Sequence, residues 1–233
     1  MLYVDKNEVL RYLGYKPNST KFTPDMLAKI DYYISLGITL LEPNTTYRIF
    51  NHLDITDRGV EIAEAGLVLP GNDISNLLRN AKKVCLVAAT IGPQLEAKVS
   101  QLFKSNEYAA GTILDAVGSD AVEKVADQLQ EQLKLKAKKQ GYHLTWRYCS
   151  GYGDLPLEVN RPFAKIVNAA SIGINITETC ALQPEKSIFG IVGFTVGEQD
   201  VPILNKCANC GAENCAYRNR GEMCAKTSRN TKE

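Results

Sequence analysis

Almost no net charge distinguishes the bases from the acids in this 233-residue chain: 27 Lys and Arg stand against 26 Asp and Glu, a formal charge of +1. That removes the global field by which a basic protein gathers nucleic acid or an anionic membrane. Residues 1–8 have neither a basic segment nor a long apolar one, so no signal peptide is expected. The longest apolar runs, near residues 84–89 and 188–196, fall short of the roughly 20 residues that cross a bilayer. A cytoplasmic protein is expected. There is no internal repeat and no low-complexity stretch before the tail, and the two histidines, His52 and His143, stand in unrelated contexts. Seven cysteines, an odd number without an export signal, read as thiols and metal ligands rather than a disulfide framework.

What is present is enough for a core: 45% of residues are hydrophobic and 23% charged. Val9, Leu10 and Leu13 are spaced for a helix over residues 5–13, stopped by Gly14 and Pro17. Thr23-Pro24-Asp25 supplies an N-cap and a first-turn proline for a second helix to about Leu41. Strands with turns are expected over residues 47–51 and 59–68, a short helix over 74–80, and a buried strand over 83–90. Gly92-Pro93 then leads into a helix over residues 94–105. That junction is either an anion site at a helix N-terminus or a plain β-to-α turn.

Residues 107–138 form a long amphipathic helix striped by Ile113, Leu114, Val117, Ala121, Val125 and Leu129. Gly118 and Ser119 mark a close approach, by tight packing or by a ligand. Asp115, Asp120, Glu123 and Asp127 lie on the same helix and read as a solvated acidic face, except Glu123. Between Val122 and Val125, its carboxylate is placed to receive a ligand ammonium or hydroxyl. A strand over residues 143–146 runs into Arg147, whose guanidinium can clasp a carboxylate with two parallel hydrogen bonds. Gly151 and Tyr152 add a turn and an aromatic face, and Pro156 stiffens the exit. On these residues alone, Arg147 is either a cation at a pocket mouth or a plain surface arginine. A helix over residues 161–174 and a buried strand over 188–196 complete an irregular α+β alternation.

Arg147, Gly151, Tyr152 and Pro156 match the Arg-Pro-x-Pro-Gly-Tyr-Pro element, with its further proline, of a known family, although Tyr148, Ser150 and Gly153 replace three of its prolines. Residues 176–184, Ile-Thr-Glu-Thr-Cys-Ala-Leu-Gln-Pro, are similar to that family's Leu-Thr-Glu-Ser-Phe-Ala-Met-x-Pro block, and Val4-Asp5 to its Ile-Asp-Trp entry. In these motifs the chain resembles the activation domain of cobalamin-dependent methionine synthase, which binds S-adenosylmethionine. The resemblance covers residues 1–196 and implies a twisted antiparallel sheet with flanking helices, forming a domain over residues 1–200. It implies that Arg147 and the backbone of Gly151 and Tyr152 hold the methionine portion of the ligand, with Asp5 and Glu123 as acidic partners. It implies no catalytic side chain. The chain would be a methyltransferase component of methionine biosynthesis that supports reductive remethylation of cobalamin carried by a partner, a methionine synthase or another corrinoid methyltransferase. No Asp-x-His-x-x-Gly corrinoid motif is present, so the cobalamin would sit on that partner. An ordinary small-molecule methyltransferase is disfavoured by the lack of a Gly-rich Rossmann fingerprint.

The tail, residues 201–233, departs from the family. Cys207, Cys210, Cys215 and Cys224 supply four thiolates for a zinc ion or an iron-sulfur cluster, if they are not free thiols. Arg218 and Arg220 could dock an acidic flavodoxin- or ferredoxin-type reductant, or simply be solvated. Cys85, Cys149 and Cys180 read as small core residues. The alternative to a methyl-donor site is a metal-dependent redox or interaction module that binds a corrinoid protein and no S-adenosylmethionine.

Overall fold

The computed structural model describes residues 3–15 and 20–197. The tail cysteines Cys207, Cys210, Cys215 and Cys224, and the expected domain boundary at residue 200, lie outside the described residues.

Two helices open the chain, and each is started by the side chain the sequence pointed to or placed beside it. Asp5 accepts the Asn7 N–H at 2.8 Å to begin α1 (Lys6–Tyr12). Thr23 accepts the Met26 N–H at 3.3 Å to begin α2 (Pro24–Thr39). There follow β1 (Asn44–Phe50) and a small antiparallel meander, β2 (Asp54–Thr56), β3 (Gly59–Ile62) and β4 (Leu67–Leu69). Next come α3 (Asn72–Leu78), β5 (Ala81–Thr90), α4 (Gln94–Lys104) and the 31-residue α5 (Tyr108–Lys138). The last elements are β6 (His143–Leu144), β7 (Tyr148–Cys149), α6 (Asn160–Ile166), the β8 (Asn175–Ile176) and β9 (Leu182–Gln183) pair, and β10 (Ser187–Thr195).

The main sheet has the order β1-β5-β10-β6, with β7 also on β10, and every pairing is antiparallel. Its central strands are buried on both faces, which is why they read as continuous apolar runs rather than alternating ones. Val84, Leu86 and Ala88 of β5 and Phe189 and Ile191 of β10 join a core with the meander, α3 and α6. On the opposite face Cys85, Val87, Val192 and Phe194 meet Leu129 and Leu133 of α5. Farther along α5, the expected stripe residues Ile113, Leu114, Val117, Ala121 and Val125 are buried with side chains of α1, α2 and α4. The result is an antiparallel sheet layered between α5 with its companion helices on one side and the meander with α3 and α6 on the other.

Two expected elements are shorter than the sequence implied. The strand over residues 143–146 breaks after Leu144, because the Thr145 hydroxyl takes the Gly193 N–H at 2.9 Å in place of a backbone carbonyl. The helix over residues 161–174 ends at Ile166; Asn168 turns to φ 53°, and a 3-10 turn over Ala169–Ile172 follows. Among the described residues no helix is long and apolar enough to cross a membrane.

Candidate functional site

The break at Thr145 sets the position of Arg147. Thr145 gives its own N–H to the Gly193 carbonyl at 2.9 Å, and β7 rejoins β10 with Cys149 opposite Gly190. The Arg147 shaft then crosses Gly190: a Cβ there would stand 2.5 Å from Arg147 Cγ and 2.6 Å from Cδ. With Gly190 bare, the guanidinium passes inward to α5.

There it meets a polar row at helical spacing within an otherwise apolar surface. Arg147 Nη2 donates to Glu123 Oε2 at 2.6 Å, and Nη1 to Asp127 Oδ1 at 3.0 Å and Gln130 Oε1 at 3.1 Å. The arginine side chain is 1% exposed, while those of Glu123 and Asp127 are 26% and 46% exposed. Nε is buried and has no hydrogen-bond partner among the described residues. Burial alone would lower the guanidinium pKa, but the charges of Glu123, Cys149 and Asp127 outweigh it and raise the pKa. Arg147 therefore stays charged.

The sequence expectation of a cation at the mouth of a pocket is corrected here. The guanidinium lies beneath the surface, and the groups nearer solvent are its two carboxylates. Two carboxylates on one guanidinium leave a surplus negative charge, which favours a cationic ligand group.

Tyr152 closes another side of the cluster. Its phenol is hydrogen-bonded to the Cys149 side chain, and its pKa is pushed above the ordinary tyrosine range by burial first, then by the charges of Cys149 and Glu123, against Arg147. It stays protonated at neutral pH, so its hydroxyl remains a hydrogen-bond donor. Gly151 provides the turn at φ +81°, and its N–H bonds to the Leu155 carbonyl at 2.9 Å.

The loop after Arg147 is held by tethers. The Tyr148 hydroxyl donates to the Tyr152 carbonyl at 2.8 Å, and the Asp154 carboxylate accepts the Asn72 and Asp73 N–H groups at 2.6 and 3.2 Å, fixing the loop to the start of α3. A proline restrains the unfolded chain as well; these bonds act only once the chain is folded.

Asp5 joins from α1. Its backbone N–H donates to Asp120 Oδ2 at 2.8 Å, so α5 holds the start of α1. Tyr12, at the other end of α1, lies near enough to Glu123 for that charge to raise its pKa, after the larger effect of burial. Asp120 is not part of the expected solvated face: it is 3% exposed, and burial pushes its carboxyl up to about 6. An open groove of about 470 Å³, lined by Tyr3, Lys124, Asp127, Gln128, Glu131 and Gln132, adjoins the cluster through Asp127.

The structure thus gathers Glu123, Arg147, Gly151 and Tyr152 around one cluster, with Asp5 attached through Asp120. The sequence reading placed Asp127 and Asp120 on a solvated acidic face and did not single out Gln130 or the bare Gly190, four contributors in all. Asp127 and Gln130 were detectable as polar residues four and seven positions after Glu123, on the same helix face.

Three other expectations are resolved. The Gly92-Pro93 junction is flanked by the chain's own acids: Glu96, in the first turn of α4, accepts the Glu185 N–H at 2.8 Å, and Glu42 packs where a Gly92 Cβ would stand. Gly118 faces Leu95 and Lys186, which is tight packing. Cys85 and Cys180 are buried, whereas Cys149 is half-buried beside Tyr152. Among the described residues no group of three or more His, Cys, Asp or Glu could hold a metal ion.

Comparison with protein families and with curated proteins gives no match. A solved structure does match: the crystal structure of the MetH reactivation domain bound to AdoHcy superposes with a TM-score of 0.60, over 87% of this chain and 77% of that chain, at 13% identity. The mixed helix and antiparallel-sheet fold is therefore that of the MetH reactivation domain. At this identity the likeness establishes the fold alone, and the chemistry has to be argued from the side chains.

Proposed function

We propose that the chain binds S-adenosylmethionine at the Glu123, Asp127 and Arg147 cluster and serves as an activation subunit for a separate corrinoid methyltransferase. One observation carries the reading: a buried guanidinium aims two part-exposed carboxylates outward, on a fold whose solved relative is bound to AdoHcy. S-adenosylmethionine supplies an activated methyl group on a cationic sulfur. The acids of α5 meet its positive centres, and Arg147 keeps those acids in register rather than gripping the ligand first. Tyr152 offers a hydroxyl that stays protonated, and the bend at Gly151 holds its ring there. The groove beside Asp127 is of a size to hold a small molecule along α5.

The protein contributes positioning and electrostatics to such a reaction, since no side chain of the cluster is required as a nucleophile. The cobalamin would be carried by a partner, a methionine synthase or another corrinoid protein, and the electron by a flavodoxin- or ferredoxin-type protein. For the tail we propose that Cys207, Cys210, Cys215 and Cys224 hold zinc or an iron-sulfur cluster. Metal analysis with an absorbance spectrum separates these: a broad visible band with iron and sulfide, or a colourless protein with one zinc.

Calorimetry with S-adenosylmethionine and its uncharged thioether S-adenosylhomocysteine tests the site. The cationic ligand should bind more tightly. Glu123→Gln, which keeps an acceptor for Arg147, should weaken it about tenfold, as expected for losing a close charge of about 1.4 kcal/mol. Absence of heat with both ligands, or unchanged affinity in Glu123→Gln, would overturn the assignment and leave a module that binds a corrinoid protein without a methyl donor.

A further inference from the structure

Among the described acids, Asp120 alone is buried. It lies close to one turn before Glu123 on α5, and its Oδ2 reaches across 115 positions of sequence to take the Asp5 N–H at 2.8 Å. Asp5 then uses its own carboxylate on the Asn7 N–H, so the first turn of α1 is held by two carboxylates, one from each helix. A neutral amide in place of Asp120 would satisfy the same N–H without the cost of burying an anion. The charged groups facing Asp120 are Asp5 and Glu8 of α1 and Lys124 of α5; the lysine favours its charge, and the two acids oppose it. Two carboxylates near an already buried one would be poor design for stability alone, but they concentrate negative potential at the start of α1, against a carboxylate one turn from Glu123 on α5.

We propose that Asp120 is a positioning residue of the ligand site, fixing the start of α1 so that Tyr12 at its other end stands near Glu123, and that its charge, one turn from Glu123 on α5, is used to retain a cationic ligand. This rests on the reading of the site as one for a sulfonium compound. A cation entering the cluster favours ionised Asp120, whose carboxyl is held near 6 by burial. By linkage, binding releases protons around that pH, and affinity rises as pH increases through it. The Asp120→Asn variant keeps the acceptor and loses the proton; Asp120→Ala loses both.

The test is calorimetry with S-adenosylmethionine from pH 5 to 8, in two buffers of different ionisation enthalpy, on the wild type and both variants. The wild type should release protons near pH 6 and gain about threefold to tenfold in affinity across the range, in line with a coupling of about 1 kcal/mol. Asp120→Asn should remove that proton release, and Asp120→Ala should weaken binding about tenfold at every pH. Amide hydrogen exchange at Asp5 reads the positioning role without ligand: slow in the wild type and Asp120→Asn, fast in Asp120→Ala. Equal exchange in all three, or proton release that persists in Asp120→Asn, overturns the inference. Asp120-dependent protection of Asp5 in a protein that binds no S-adenosylmethionine would instead uphold the positioning of α1 and remove the function proposed for the site.

Discussion

A single added methyl group at Gly190 should disable the cluster although it touches no proposed ligand group. The alanine Cβ would stand 2.5 Å from Arg147 Cγ, 2.6 Å from Cδ and 3.1 Å from Val87 Cγ2. Carbon atoms in contact sit about 3.5–4.0 Å apart, so the overlap with the arginine shaft is about 1 Å. The shaft has little room to yield, because its far end is bonded to Glu123 at 2.6 Å and Asp127 at 3.0 Å. If the strain is absorbed locally, the cost is about 1–3 kcal/mol; if the guanidinium is expelled from its partners, it approaches the roughly 3–5 kcal/mol of a broken buried pair. We expect about 3 kcal/mol. Gly190 has no positive φ, and glycine itself weakens a strand, so without the clash alanine would stabilise this position. The assay is urea unfolding of Gly190→Ala, Arg147→Ala and the double variant. Truncating the arginine removes the overlap, so the double variant should be little worse than Arg147→Ala alone, a coupling of about 1–3 kcal/mol. A Gly190→Ala protein within about 0.5 kcal/mol of wild type, or strictly additive variants, would refute the packing argument.

Asp154→Ala leaves the Asn72 and Asp73 N–H groups without their acceptor and should cost about 0.5–2 kcal/mol in chemical denaturation, with faster amide exchange at both positions. Asp120 carries a pH signature of definite sign. Its folded pKa is raised, to about 6, so the stability it contributes is present at low pH and is lost as pH rises through 6. Asp120→Asn should therefore be more stable than wild type at pH 7.5 by about 1–2 kcal/mol and equal to it near pH 4, measured by thermal or urea unfolding. Tyr148→Phe removes the donor to the Tyr152 carbonyl at 2.8 Å, and should lower stability by about 1 kcal/mol and shorten nitroxide or fluorescence order at position 152.

Local chemistry made much of the fold legible. Thr23 and Pro24 announced α2, the apolar stripe from Ile113 to Leu129 announced α5, and the runs around Val84 and Ile188 announced the two central strands. Where the sequence misled, a contact distant in the chain decided the matter. Thr145 has good strand propensity, yet its hydroxyl satisfies Gly193 and breaks the edge strand. Asp120 looked solvated because the N–H that its carboxylate accepts, that of Asp5, is 115 positions away. Arg147 was found as a chemically marked residue, but its depth was invisible: it depends on Gly190, 43 positions later, which has no side chain to draw attention. The groups that receive it, the Asp127 carboxylate and the Gln130 amide oxygen, lie four and seven positions after Glu123 on the same helix face.

The Asp154 tether has a mechanical consequence. One carboxylate spans the Tyr152 bend and the first turn of α3, while α3 rests on the meander at the opposite side of the sheet from α5. A displacement of the bend is thus passed to α3 through this tether, in addition to the core contacts of the buried Tyr148 and Leu155. Loosening the meander would slacken the aromatic wall of the cluster from behind, at a distance from every acid that faces it.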